Sequence, residues 1–236
     1  MSWRDLFPVL NQIQQVSLDP NKNDRLLWKD GIDLDEFSCS GVWDSVRVRE
    51  PEVDWMGLVW FSHCIPRHAF LMWLIFRRKL LTQDKILKWD FARRRNMNMM
   101  CCLLCYANVD SHTHLFFECK FSSDVWILVR DKVDMGDVDP KWNAIIDWLK
   151  RQMQSKLATD YVSRLLVAAT SYFIWQERNA RLLKNQTRPP DTIATAVLTT
   201  VRYKLLGMKF KDTDNVRRLL SKWEIHGGYA EDDGGR

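Results

Sequence analysis

No apolar run in this sequence is long enough to cross a bilayer. The longest conspicuous one, Ala69 to Phe76, falls well short of the roughly 20 residues that hydrocarbon demands, which excludes a membrane-spanning helix. The opening MSWRDLFPVL lacks a basic stretch followed by a long apolar segment, so the six cysteines are not read as an exported disulfide framework. An intracellular chain with reduced thiols is expected; the nucleus stays open as a location, because Arg93-Arg94-Arg95 is too short to assign import. Sustained heptads, short-period repeats and low-complexity linkers are also missing, which excludes a long coiled coil or a repeat array. Nowhere do a nucleophile, a general base and an electrophile stand at a readable spacing, and the carboxylates are dispersed rather than gathered for divalent-metal chemistry. No catalytic residue is assigned, and no enzyme is expected. The charge excess is small as well: 35 basic against 30 acidic side chains, a formal +5, does not by itself establish a nucleic-acid partner.

What is present is concentrated in CLLCYANVDSHTHLFFEC. Cys102, Cys105, His114 and Cys119 follow the spacing C-x2-C-x8-H-x4-C, which can close a tetrahedral zinc site. Cys101 in place of Cys102, and His112 in place of His114, lie within reach as alternatives. Cys102 is preferred because it makes the common two-residue knuckle, and His114 because it directly precedes Leu115-Phe116-Phe117. Three thiolates and an imidazole leave no open position for a substrate, so the expected cofactor, Zn2+, folds the loop. The filled site carries a formal charge of about −1 and is no phosphate attractor. The plain alternative is a set of reduced, partly buried cysteines beside a surface histidine.

Attraction for RNA or DNA must therefore come from lysine and arginine. Between Pro66 and Asn96, nine basic residues meet only Asp84 and Asp90. Lys85, Lys88, Arg93, Arg94 and Arg95 are the candidate phosphate contacts, with Trp73 and Trp89 nearby, although Trp73 inside AFLMWLIF reads as core. The alternative is a protein-interaction or purely structural helical module whose basic stretch is a solvated face.

At 236 residues and 46% hydrophobic composition the chain can bury a substantial core. The fold expected is mainly alpha, with a zinc-stabilised loop between helices and a short irregular or beta-containing N-terminal region. Its divisions are an N-terminal segment 1–54, a zinc-binding domain 55–133, a helical packing region 134–225 and a flexible tail 226–236. Pro66 starts a helix whose apolar face holds Phe70, Trp73 and Leu74, with Ile75 and Phe76 extending burial around it, and Thr82 caps a short helix. Ser122 or Ser123 caps the helix through Val125, Trp126, Val129 and Val133, and Asp139-Pro140 opens the one carrying Trp142, Ile145, Ile146 and Leu149. A long helix runs between Tyr161 and Leu183. Beyond a turn at Asn185–Pro190, another carries Ile193, Val197, Val201 and Leu205, and Thr213 caps the last, with Val216, Leu219, Leu220 and Trp223. In the long helix, Trp175-Gln176-Glu177-Arg178-Asn179 reads as packing and capping, with Glu177 and Arg178 neighbours rather than a same-face pair. Oligomeric state cannot be read from any of this.

Beyond the four metal-ligating residues, Val59-Trp60-Phe61, Ile65-Pro66-Arg67-His68-Ala69-Phe70, Trp73-Leu74, Leu80-Leu81-Thr82, Asp84, Lys88-Trp89, Phe121 and Trp126 form a wider pattern. It resembles the reverse-transcriptase zinc-binding domain of plant non-LTR retrotransposon proteins, from about Phe37 to Val129. The resemblance implies that Cys102, Cys105, His114 and Cys119 hold zinc, with Asp110-Ser111 where a glutamate-threonine pair is common. It implies a truncated or derived fragment of a retroelement polyprotein with an accessory nucleic-acid-binding role. The YADD pattern of the polymerase core is absent from this sequence. Tyr172 to Asn179 resembles the helical region that often follows the zinc-binding segment.

Overall fold

The computed structural model describes residues 23, 25–30, 33–48, 50–89, 101–153, 155 and 157–227. The chain divides into two compact units, Met1–Pro51 and Glu52–Arg236. In the first, β1 (Leu27–Asp30) and β2 (Asp33–Glu36) form an antiparallel hairpin with Trp28 opposite Asp35 and Lys29 opposite Leu34. A helix, α1 (Cys39–Val46), follows where the sequence suggested only strands or irregular chain. Ser38 explains it: its hydroxyl accepts from the Gly41 amide at 3.1 Å and supplies the N-cap. The Trp28 indole then donates to the Ser45 hydroxyl at 3.0 Å, tying hairpin to helix.

The second unit is helical among its described residues. It begins with the single turn α2 (Met56–Val59), α3 (Pro66–Phe76) and the single turn α4 (Gln83–Ile86). After the cysteine-rich loop come α5 (Lys120–Val129) and a tight 3-10 turn (Arg130–Val133). Next are α6 (Trp142–Arg151), α7 (Ala158–Lys184), α8 (Pro190–Leu206) and α9 (Asp214–Lys222). No described helix is long and apolar enough to cross a membrane.

The axis of this unit is α7, which packs against α3, α5, α6, α8 and α9. From Val162 to Ser171 it is buried on nearly every side, Arg164 excepted, and Ala168, Ala169 and Ser171 keep it thin enough for close neighbours. Two of its buried hydroxyls are satisfied by bonding back along the helix, Ser163 to the Thr159 carbonyl and Thr170 to the Leu166 carbonyl. Opposite it, α8 buries Ile193, Val197, Val201 and Leu205, the stripe its spacing predicted, and begins with Pro190 in its first turn. Thr213 caps α9 by accepting from the Val216 amide.

Three expectations need correction. The buried face of α3 is His68, Ala69, Leu71, Met72 and Ile75, while Phe70 is 53% exposed and Trp73 and Leu74 are half-buried. A helix that is apolar nearly all round leaves its inward face to be chosen by tertiary packing, here against α7. α5 starts earlier than a Ser122 or Ser123 cap would allow, with Cys119 in the N-cap position. α6 starts at Trp142, behind Lys141, rather than at Pro140, although Trp142, Ile145, Ile146 and Leu149 are buried as expected. The tail from residue 228 onward lies outside the described residues.

Candidate metal centre

The loop between α4 and α5 folds back on itself twice. At its first end, the Tyr106 amide donates to the Cys102 carbonyl at 2.8 Å, closing the Cys102–Cys105 turn, and Tyr106 takes a left-handed backbone (φ 56) to leave it. At its second end, Ser111 starts a helical turn by accepting the His114 amide on its hydroxyl at 3.2 Å. The wide turn His114–Glu118 is then broken at Phe117, whose φ of 79 is strained for a bulky residue, so that the chain reaches Cys119 facing back toward the first end. Complete burial of Leu115, Phe116 and Phe117 holds that bend. The Ser122 hydroxyl also holds it, donating to the Leu115 carbonyl at 2.7 Å instead of capping α5.

These two ends bring one donor atom from each of Cys102, Cys105, His114 and Cys119 to within 4.8 Å of one another. Cys102 Sγ lies 3.9 Å from Cys119 Sγ, and Cys105 Sγ lies 3.3 Å from His114 Nε2. A zinc tetrahedron with ordinary Zn–S and Zn–N bonds has S···S edges of about 3.8 Å and S···N edges of about 3.5 Å. Both distances fall close to those edges, and three thiols with an imidazole are a donor set that zinc takes.

Cys102 and Cys119 are fully buried, and Cys105 and His114 are half-buried. The two buried sulfurs lie within hydrogen-bonding distance of each other. Its hydrogen bond to Cys119, reinforced by burial, pushes the Cys102 thiol far up, while the same bond from Cys102 lowers Cys119 against the pull of its own burial. The amides of Ser122 and Phe121, in the first turn of α5, add to that lowering. Thiolates this close repel one another unless a divalent ion lies among them.

The alternative ligands are placed elsewhere. His112 is buried in the core, its Nε2 at 2.9 Å from the Ile75 carbonyl and its ring edge-on to Phe116 and Trp142; burial lowers its pKa. Cys101 is half-buried outside the four-residue cluster, and its carbonyl accepts from the Gln83 amide group at 3.2 Å. Of the candidate phosphate contacts, Lys88 is exposed and Lys85 half-buried, while Arg93, Arg94 and Arg95 lie outside the described residues.

Sequence reasoning missed the supports of the loop. From α4, the Gln83 side chain donates to Cys101 and accepts the Asp110 amide at 3.0 Å. From α7, Arg178 forms a fully buried ion pair with Asp110 at 2.8 Å and lies over the Trp175 ring. One helical turn on, Arg181 donates to the carbonyls of Leu103 and Leu104 at 2.9 and 3.1 Å. Glu177, fully buried, accepts from Arg181 and from Arg188, each at 2.8 Å. Burial pulls the Glu177 carboxyl up, but the Arg188 amide and the two guanidiniums outweigh it and hold it below its usual range. The one local signal was the four-residue spacing of Glu177 and Arg181 on a helix.

Residues 37–126 match the protein-family model described as zinc-binding in reverse transcriptase. That family is a non-catalytic, zinc-binding accessory domain, and the four clustered Cys and His residues lie inside the matched stretch. The match stops within α5, so the α7 residues that brace the loop stand outside it. Comparisons with curated proteins and with solved structures find no match.

Proposed function

We propose that the chain is a non-catalytic, retroelement-derived zinc module, of the plant non-LTR kind, that binds nucleic acid weakly and without sequence preference. Cys102, Cys105, His114 and Cys119 hold Zn2+, which orders the loop and leaves no position for a reacting group. The convergence of those four donor atoms within 4.8 Å carries the reading. Unoxidised thiols of this kind belong in a reducing compartment, so the reading places the protein inside the cell.

Support for the nucleic-acid part comes from α3 and its C-terminal side. Arg67, Phe70, Trp73 and Arg77 share the outward side of α3, and the Phe70 and Trp73 rings lie nearly parallel at 5.7 Å. Arg67, Arg77, Arg78, Lys79, Lys85 and Lys88 have no carboxylate partner among the described residues. Cations without a carboxylate partner beside the exposed Phe70 ring and the half-buried Trp73 ring suit a single strand, whose phosphates and base faces are both accessible. Lys85, Lys88, Arg93, Arg94 and Arg95 extend the phosphate contacts in this reading. A second reading, docking to a protein, draws on the exposed Met56, Trp60 and Phe70.

The test pairs metal analysis of chain purified in reducing buffer with electrophoretic binding to short RNA, single-stranded DNA and duplex DNA across a salt series. One zinc per chain and salt-sensitive binding with little sequence preference are expected. No binding to any nucleic acid at low salt sinks the nucleic-acid half and leaves the protein partner; absence of zinc sinks the whole.

A further inference from the structure

We propose that Arg181 is a positioning residue of the metal centre, acting on the Cys102–Cys105 turn through its two peptide planes and setting how tightly the loop holds a thiolate-binding divalent cation. The inference rests on the zinc reading above and concerns residues that the family match does not reach.

The geometry runs through the Cys102–Cys105 turn. Arg181 Nη1 donates to the carbonyls of Leu103 and Leu104, the two residues between the cysteines. A peptide unit is planar and trans, so each of these carbonyls is rigidly joined to the N–H pointing the opposite way, that of Leu104 and that of Cys105. Both peptide units lie between Cys102 and Cys105, the first two residues of the donor cluster. By holding both carbonyls, one guanidinium fixes the two peptide planes that join Cys102 to Cys105, and with them the separation and direction of the two cysteines.

Arg181 is itself held in place. Its Nε donates to Glu177 at 2.8 Å, its Nη2 to the Arg188 carbonyl at 3.1 Å, and its guanidinium lies 4.6 Å from the centre of the Phe121 ring. Its side chain is only 5% exposed. Charge agrees with this arrangement: Glu177 faces two guanidiniums, Arg181 and Arg188, leaving one net positive charge behind a loop that carries about −1 when filled by a divalent ion. A lysine would keep the charge, but as a compact ammonium it lacks the planar fork that spans two carbonyls and a carboxylate together.

The test measures zinc affinity by competition with a chromophoric chelator, and the visible bands of the Co2+-loaded protein, in the full chain and in Arg181→Met, Arg181→Lys and Arg188→Met. Arg188 separates positioning from support, because its side chain pairs with the same Glu177 without touching the loop. Arg181→Met is expected to weaken zinc binding about 10- to 100-fold, the range of outer-shell partners, and to shift the Co2+ bands. Arg181→Lys should fall between it and the unaltered chain, and should decide the matter if the methionine variant does not fold. Arg188→Met should lose thermal stability yet bind zinc as the unaltered chain does. Equal zinc affinity and Co2+ spectra across all four proteins, or equal losses in the Arg181 and Arg188 variants, overturn the inference alone. An unaltered chain that binds neither ion overturns the zinc reading, and this inference with it.

Discussion

The arginines of α7 and its following turn and those of α3 have opposite fates. Arg178 and Arg181 are almost fully buried and Arg188 partly so, and each is joined to a carboxylate, because an unpaired charge in the interior costs several kcal/mol. Arg67, Arg77 and Arg78 are exposed with no carboxylate partner among the described residues, so no ion pair there neutralises their charge, although the Arg67 guanidinium lies 5.4 Å from the centre of the Tyr172 ring. The same side chain thus serves as scaffold in one place and as available charge in the other. Burial and pairing distinguish the two sets; the total charge of the chain does not.

The strongest way to break the scaffold is to remove what it surrounds. Cys102→Ala or Cys119→Ala takes one of two fully buried sulfurs from the cluster. Each is expected to abolish stoichiometric zinc and to cost on the order of 5 kcal/mol, part of the 10–16 kcal/mol that structural zinc contributes to small zinc folds. Metal analysis with denaturant unfolding reads both effects; unchanged zinc content in both variants would refute the ligand set.

Next in size is the buried pair. Asp110→Asn keeps the shape of the side chain but leaves the Arg178 guanidinium inside without its counter-charge. The expected loss is about 3–5 kcal/mol, whereas Arg77→Met on the exposed face should stay within about 0.5 kcal/mol. Equal losses in urea unfolding would erase the distinction between the two sets of arginines.

This contrast also marks where sequence reasoning succeeded. The clustering of Cys102, Cys105, His114 and Cys119 was legible because they stand within 18 residues of one another, at a spacing that two turns of the loop can close. The stripe of α8 and the Thr213 cap were legible for the same reason, being set by neighbours along the chain. Arg181 touches Leu103 across 78 residues, and only tertiary packing states that contact. α3 failed differently: with apolar residues nearly all round, its sequence could not say that Phe70 faces out and His68 in.

His68 supplies the third test, beside the exposed set rather than within it. Its ring is buried 4.4 Å from the Tyr172 ring, neither nitrogen has a partner, and burial, with Arg67 adjacent, lowers its pKa from 6.5 to about 4. Below pH 6.5 the unfolded chain takes up a proton that the folded chain refuses until about pH 4. Stability should therefore fall as pH drops through that window, by up to about 1.4 kcal/mol per pH unit from this residue, and be unaffected by it above. His68→Phe should flatten the difference between the two chains, a comparison in which acid loss of metal cancels. Identical pH profiles would show that His68 is protonated inside the fold.

The smallest effect concerns the available charges themselves. If Arg77 and Lys88 each meet a phosphate, replacing either by methionine removes one contact and about 0.7 from the slope of log affinity against log salt on single strands. The folded state should not notice, because neither has a carboxylate partner among the described residues. Arg188→Met should do the reverse, losing stability and leaving the salt slope untouched, since its charge is spent on Glu177. A salt slope that falls equally in all three variants would mean that binding follows net charge alone, and the exposed face of α3 would lose its claim as the surface that meets the strand.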